Sequence, residues 1–204
     1  MELKILHLSD THGVHRRLRD LPEADILVHS GDFTMSGSEA ETLDFLEWIC
    51  DLPYRHKVLV AGNHDACLYG THLDGLDDNV HYLCGRGVKI EGLNFWGVPM
   101  FMEDCVSGKQ EQLYAAIPED TDVLVTHTPP YGILDRDGSI LYGSRELLGR
   151  VRVIHPRLHF FGHIHKSHGA TSDGVTVFSN AAIMDEGYDN LNAPNVLSLT
   201  VSAD

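Results

Sequence analysis

The 204-residue sequence is poor in basic residues: 15 Lys and Arg stand against 30 Asp and Glu, a formal net charge of −15. A surface this acidic repels polyanions, which disfavours long nucleic acid as a partner. A small anionic ligand remains compatible where bound cations supply local positive charge. No apolar run approaches the roughly 20 residues that a membrane-spanning helix needs, so no membrane partner is expected. Cysteine is sparse and unpaired in sequence. Cys50, Cys67, Cys84 and Cys105 form no C-x-x-C pair, which removes zinc-ribbon spacing and leaves free thiols as the expectation. The opening stretch MELKILHLSD has no basic leader, apolar h-region or cleavage site, so no signal peptide is expected and the expected location is the cytoplasm. Repeats and low-complexity linkers are absent too. One domain over residues 1–204 is expected, long enough for one sizeable core.

The sequence is rich in histidine, with 14 in all. It alternates short apolar runs with helical patterns. Strands are expected at Leu3–Leu8, Ile26–His29, Lys57–Ala61, Val80–Leu83, Gly87–Ile90, Leu93–Val98, Asp122–Thr126, Leu158–Phe161, Val175–Ser179 and Val196–Val201. Ser38 followed by Glu41 forms a capping-box pattern that opens a helix to Cys50, with Leu43, Leu46 and Ile49 or Cys50 as its apolar stripe. Two weaker helices cover Gln110–Ala116 and Ser144–Ile154. This is an α/β pattern with many strands: a mixed sheet, or two sheets packed together, with flanking helices.

The residues that end the strands carry the chemistry. KILHLSDTH ends in Asp10 and His12, ILVHSGDF in Asp32, and VLVAGNHD in Asn63, His64 and Asp65. VLVTHTPP ends in His127, and LHFFGHIH in His163 and His165. Five apolar strands thus each deliver Asp, Asn or His at their C-terminal ends, the edge where α/β sheets build ligand sites. Gly31, Gly62 and Gly162 sit just before the polar groups, where glycine permits sharp turns and close backbone approach. Carboxylate and amide oxygens mixed with imidazoles, without thiolates, suit Mn, Fe or Zn rather than Ca. The set is too large for one tetrahedral ion and is sufficient for two ions sharing a carboxylate.

The ordered series D-x-H, G-D, G-N-H-D, H and G-H-x-H resembles the calcineurin-like metallophosphoesterase superfamily. THTPPYGILD followed by P-x-L-H-x-F-G-H-I-H is similar to its small metallophosphoesterase-domain-containing branch, whose members resemble class III cyclic-nucleotide phosphodiesterases. The resemblance implies two facing mixed β-sheets flanked by helices, with the site at one end. It implies two divalent or trivalent transition-metal ions: Asp10, His12 and His165 on the first, Asn63, His127 and His163 on the second, and Asp32 bridging both. His64 is implied to be the general acid and not a ligand. The implied activity is hydrolysis of small phosphodiesters by in-line attack of a metal-bridging hydroxide. A phosphomonoesterase or a nucleotide pyrophosphohydrolase would use the same metal core. A non-catalytic binding platform predicts lost ligands, and here every motif position is filled.

One departure separates this chain from the protein serine/threonine phosphatases of the superfamily, which carry G-D-x-x-D-R-G. Met35 and Ser36 stand where that motif places its second aspartate and its arginine. Asp65, beside His64, is the remaining acidic candidate to orient it. Among the other histidines, His7, His29 and His159 are expected to be core or supporting groups and His168 a solvated loop residue. His15, His56, His72, His81 and His155 match no motif position and are expected at the surface. The loop after His127 is expected to shape the pocket, with Tyr131 stacking on a base and Arg136 or Arg145 contacting phosphate.

Overall fold

The computed structural model describes residues 1–201. Its strands, in chain order, begin with β1 (Glu2–Leu8), β2 (Ile26–His29), β3 (His56–Leu59), β4 (Val80–Tyr82), β5 (Arg86–Ile90), β6 (Leu93–Val98) and β7 (Val123–Thr126). They continue with β8 (Arg136–Asp137), β9 (Ile140–Leu141), β10 (Leu158–Phe161), β11 (Gly169–Ser172), β12 (Val177–Asn180) and β13 (Asn195–Thr200). The helices are α1 (Glu39–Asp51), α2 (Met102–Ser107), α3 (Lys109–Ala115) and α4 (Arg145–Ile154). The first sheet has the order β13-β1-β2-β3-β4, the second β11-β12-β10-β7-β6-β5, and β8-β9 is a separate hairpin.

The two sheets face one another across an apolar layer, and alternation along each strand explains why. Leu3 and Ile5 of β1, Ile26 and Val28 of β2, and Val58 of β3 point inward to meet Phe95 of β6, Val123 and Val125 of β7, and Leu158 and Phe160 of β10. The intervening residues point outward. Leu6, Leu8, Leu27 and Leu59 pack against Phe45, Leu46, Trp48 and Ile49 of α1. Leu124, Phe161 and Phe178 pack against Tyr114 of α3 and Leu147, Val151 and Ile154 of α4. The central strands are therefore buried on both faces and read as continuous apolar runs rather than as alternation. The expected helix–sheet–sheet–helix architecture is the observed one.

Differences from the sequence expectations are local. Leu43 is exposed on α1, and Phe45, Leu46, Trp48 and Ile49 form the stripe that packs on the sheet. The Ser38 capping box forms as expected. Helix α2, the β8-β9 hairpin and strand β11 were not expected; the last is a Gly-Ala-Thr-Ser edge strand with no apolar signature. His15 is buried, not at the surface: its ring packs on Phe45 and Trp48, and Nε2 lies 3.0 Å from Asp44 Oδ2. His56 and His81 are half-buried and stacked on each other, with centroids 5.8 Å apart. His168 is half-buried, and its Nε2 bonds the Ala193 carbonyl oxygen at 2.9 Å.

Candidate metal centre

The parallel strands end together, and both sheets contribute to one cluster. From the first sheet come Asp10 and His12 after β1, Asp32 after β2, and Asn63 and His64 after β3. From the second come His127 after β7, and His163 and His165 after β10. Beneath them His7 joins the sheets: Nε2 meets Ser30 Oγ at 2.9 Å and Nδ1 meets Ser179 Oγ at 2.8 Å. His29 meets Thr11 Oγ1 at 3.1 Å and His159 meets Thr126 Oγ1 at 2.9 Å, the supporting roles expected of them.

The backbone around these residues is strained. Asp10, His12, Asp32 and His163 all have positive φ, at 51°, 40°, 56° and 70°. Such conformations cost of order 1–3 kcal/mol each and persist only where neighbours over-determine them. The neighbours are visible. Asp10 N–H donates to Gly31 O, His12 N–H to Asp32 O, and His163 N–H to the Asp10 carboxylate at 3.0 and 3.1 Å. Asp65 pins the two central loops. Its carboxylate accepts from the amides of Asp32, Thr34 and Gly62 and from the Thr34 hydroxyl, at 2.8–2.9 Å. It therefore does not orient His64, which corrects the expectation from adjacency in sequence. Burial and the neighbouring Asp32 charge push Asp65 up to about 7, while those donors pull the other way.

The glycines before the polar groups are required by space. A side chain on Gly31, whose φ is +103°, would press on Gly62 N and His127 Nδ1 at 2.7 Å, and one on Gly62 would run into Asp32. At Gly162 a Cβ would overlap the Asp10 carboxylate and the Ser9 side chain. Gly162→Ala is therefore expected to destabilise the fold by about 1–3 kcal/mol, as overpacking does, and to lower metal affinity by displacing Asp10. Urea unfolding and metal analysis check this; an unchanged midpoint with full metal content would contradict it.

Imidazole orientation is fixed by backbone carbonyls. His12 Nδ1 bonds Thr34 O at 3.2 Å, His127 Nδ1 bonds Ser30 O at 2.8 Å, and His165 Nδ1 bonds Asp185 O at 3.2 Å. Because a carbonyl only accepts, each Nδ1 carries the proton and each Nε2 is left to face the centre. His64 is held in the same way: Nδ1 donates to Met35 O at 2.8 Å. Met35 thus supplies from its main chain what its side chain cannot, and this partner was invisible in the sequence because any residue has a carbonyl.

The facing atoms converge. Asp10, His12 and His165 form one group of ligand atoms lying within 4.8 Å of one another, and Asp32, His127 and His163 form another. Asn63 Oδ1 joins the second at 3.2 Å from His127 Nε2. Asp32 reaches both, with Oδ2 3.3 Å from His127 Nε2 and 3.9 Å from His12 Nε2. His64 also lies within ligand range of His12 and Asp32, its ring edge-on to His12 at 4.7 Å. Ligand atoms on one ion with bonds of about 2.0–2.2 Å stand roughly 3–3.5 Å apart. The separations His165–Asp10 (3.3 Å) and His12–His165 (3.4 Å) match that spacing. In the neutral forms of His12 and His165, two Nε2 lone pairs face each other, and only a cation or a shared proton relieves this. The residues fit a metal centre.

The electrostatics point the same way. Burial works to raise Asp10, but hydrogen bonding to His165 and the charges of His127 and His12 hold it far below the usual carboxylate range. Burial pulls His127 down, yet Asp32 and Asp10 hold it up at about 10. Burial, reinforced by His127, depresses His163 to about 4. Two buried carboxylates, Asp10 and Asp32, thus impose a field that favours positive charge.

The three residues expected to contact substrate are engaged as follows. The Arg145 guanidinium covers the Tyr131 ring at 3.6 Å, so these two side chains satisfy each other. Arg136 is exposed, with its main chain bonded to Ser167 Oγ. None of the three lines the cleft of about 270 Å³ whose wall includes His163 and His165; Tyr142, Lys166 and Tyr188 do. No periodic or motif signal marks those three.

The comparisons agree with this geometry. The family model for calcineurin-like phosphoesterases matches residues 3–167, and the chain belongs to that family. A UPF0046 protein of Caenorhabditis elegans is 39% identical over 216 residues, covering 95% of this chain and 74% of the relative. Metallophosphoesterase domain-containing protein 1 of Homo sapiens is 30% identical over 227 residues, covering 94% of this chain and 69% of the relative. The solved structure of GAP50, described as the anchor in the inner membrane complex of Plasmodium, superposes with a TM-score of 0.58 at 13% identity, covering 98% of this chain and 81% of that one. At that identity the likeness concerns the fold alone.

Proposed function

We propose that this chain is a dinuclear metal-dependent phosphodiesterase acting on small phosphodiesters, cyclic nucleotides among them. The observation that carries the reading is two sets of oriented ligand atoms sharing Asp32 beside an accessible cleft. Asp10, His12 and His165 would hold one ion, Asn63, His127 and His163 the other, and Asp32 both. Bound there, two Mn, Fe or Zn ions supply Lewis acidity that lowers the pKa of water and neutralises phosphoryl charge.

The remaining chemistry belongs to the protein. His64 is partly exposed, and with Nδ1–H tied to Met35 its Nε2 is aimed at the centre; as imidazolium it would give the Nε2 proton to a departing alkoxide and be left as the Nδ1–H imidazole. Asp65 and the glycines hold the loops so that these groups need no reorganisation. Met35 and Ser36 leave no acid or arginine after Asp32, which counts against a phosphoprotein substrate.

His127 is held up at about 10 in the protein without ions, so near neutrality it carries a proton that ligation must displace. Metal loading is therefore expected to release protons, and affinity to rise with pH. Calorimetry in buffers of different ionisation enthalpy checks this; proton-neutral binding would contradict it. The activity itself is tested with metal-stripped protein, Mn²⁺ add-back, and bis-p-nitrophenyl phosphate against p-nitrophenyl phosphate. The reading predicts diester turnover that returns with metal and exceeds monoester turnover. A monoester preference would make the chain a phosphatase, and no turnover with two ions bound would make it a binding platform.

A further inference from the structure

We infer that Tyr188 and Tyr142 form an aromatic subsite that receives the planar organic group of the substrate ester. The inference rests on the phosphoesterase reading and adds the residues that choose among its substrates.

Three observations meet here. The cleft beside the centre has His163 and His165 in its wall and Tyr142 and Tyr188 along it, so a group placed between the tyrosines is adjacent to the ligand cluster. At about 270 Å³ it falls just below the usual range for small-molecule pockets, which suits a single ring system better than a polymer. Both tyrosines are large aromatics left exposed, at 49% for Tyr142 and 41% for Tyr188. The Tyr188 ring also stands 5.2 Å from the His12 ring and 5.3 Å from the His165 ring, tilted against each, which fixes it at the edge of the centre.

The loop carrying Tyr188 is built to present it. Tyr188 has φ of 58°, a conformation that a bulky residue rarely adopts, although Gly187 is next to it. Asp185 holds the turn closed: its carboxylate accepts from Asp189 N–H at 2.9 Å and Asn190 Nδ2–H at 2.7 Å. The same residue's carbonyl accepts the hydrogen bond from His165 Nδ1–H, so the aromatic wall and a proposed ligand histidine share one support.

Charge at the rim selects the kind of group. Lys166 is the cation of the cleft, and it is already paired with Asp137 at 2.6 Å and Glu186 at 2.5 Å. Among the described residues that line the cleft no other Lys or Arg faces the tyrosines, and the three charges sum to −1. A second phosphate would find no partner there, while a neutral ring would stack. The chemistry that fits is an aryl or nucleoside ester whose only negative charge is the phosphoryl group held at the metal centre.

The test compares methyl phenyl phosphate with dimethyl phosphate, two diesters in which a phenyl group replaces a methyl. Binding to Mn²⁺-loaded protein is measured by calorimetry, with metal content determined in parallel. The ring is expected to tighten binding about tenfold, the size of one stacking contact. Tyr188→Asn, which removes the ring but tolerates positive φ, should bring the two affinities together while keeping both ions. Tyr188→Phe should retain the difference, and Tyr142→Ser should reduce it. A wild-type preference that survives Tyr188→Asn, or no preference at all, overturns the subsite. Failure of both esters to bind overturns the phosphoesterase reading and the subsite with it.

Discussion

Asp32→Ala is expected to cost metal and turnover together. Asp32 is 2% exposed, and its Oδ2 is the atom that reaches towards both ligand sets. Its other oxygen accepts the His64 amide proton at 2.8 Å, so the same carboxylate fixes the loop bearing the acid candidate. Removing partners that merely orient a ligand typically lowers affinity or activity 10–100-fold. Loss of the shared carboxylate should exceed that, with turnover falling by more than about 100-fold and metal analysis finding fewer than two ions. Asp32→Asn separates charge from shape: it keeps an oxygen but leaves His127 without the negative partner that holds its proton. A variant with two ions and a normal rate would remove Asp32 from the shared position.

His64→Ala should do the reverse, sparing the metals and cutting the chemical step. His64 is partly exposed, and neither the Asp10–His12–His165 group nor the Asp32–His127–His163 group of ligand atoms includes it. General acid catalysis contributes about 10²–10⁴-fold. The loss should be largest for poor leaving groups such as alkoxides and small for p-nitrophenolate, which departs without a proton. Full metal content with a leaving-group-dependent loss is the expected result. If the variant instead loses an ion, its place within ligand range of His12 and Asp32 is the relevant one, and His64 is a ligand.

The sequence was most legible where each residue's job depends on its type. A buried strand followed by Asp, Asn or His can be read directly, because few functions other than ligation justify such groups at five strand ends. The three glycines are legible for the same reason, since no other side chain fits beside Asp32 or Asp10. The apolar runs left one mixed sheet or two packed sheets open, and the two facing layers came only with the family resemblance. What could not be read depends on main-chain atoms and on the approach of distant segments. Met35 holds His64 through a carbonyl, and Asp65 grips the amides of Asp32 and Thr34 across separations of 33 and 31 residues. Tyr188 comes to the cleft from a turn with no motif, whereas Tyr131, close to His127 in sequence, is taken up by Arg145. Proximity along the chain was a poor guide to the cleft, and the C-terminal ends of the strands were a good one.

The central claim is that one site holds two ions sharing one carboxylate, and electron paramagnetic resonance of the Mn²⁺-loaded protein tests it most directly. The account predicts two Mn²⁺ per chain with an exchange-coupled spectrum, and loss of that coupling in Asp32→Ala. Two uncoupled ions, or a single ion at saturation, would contradict it.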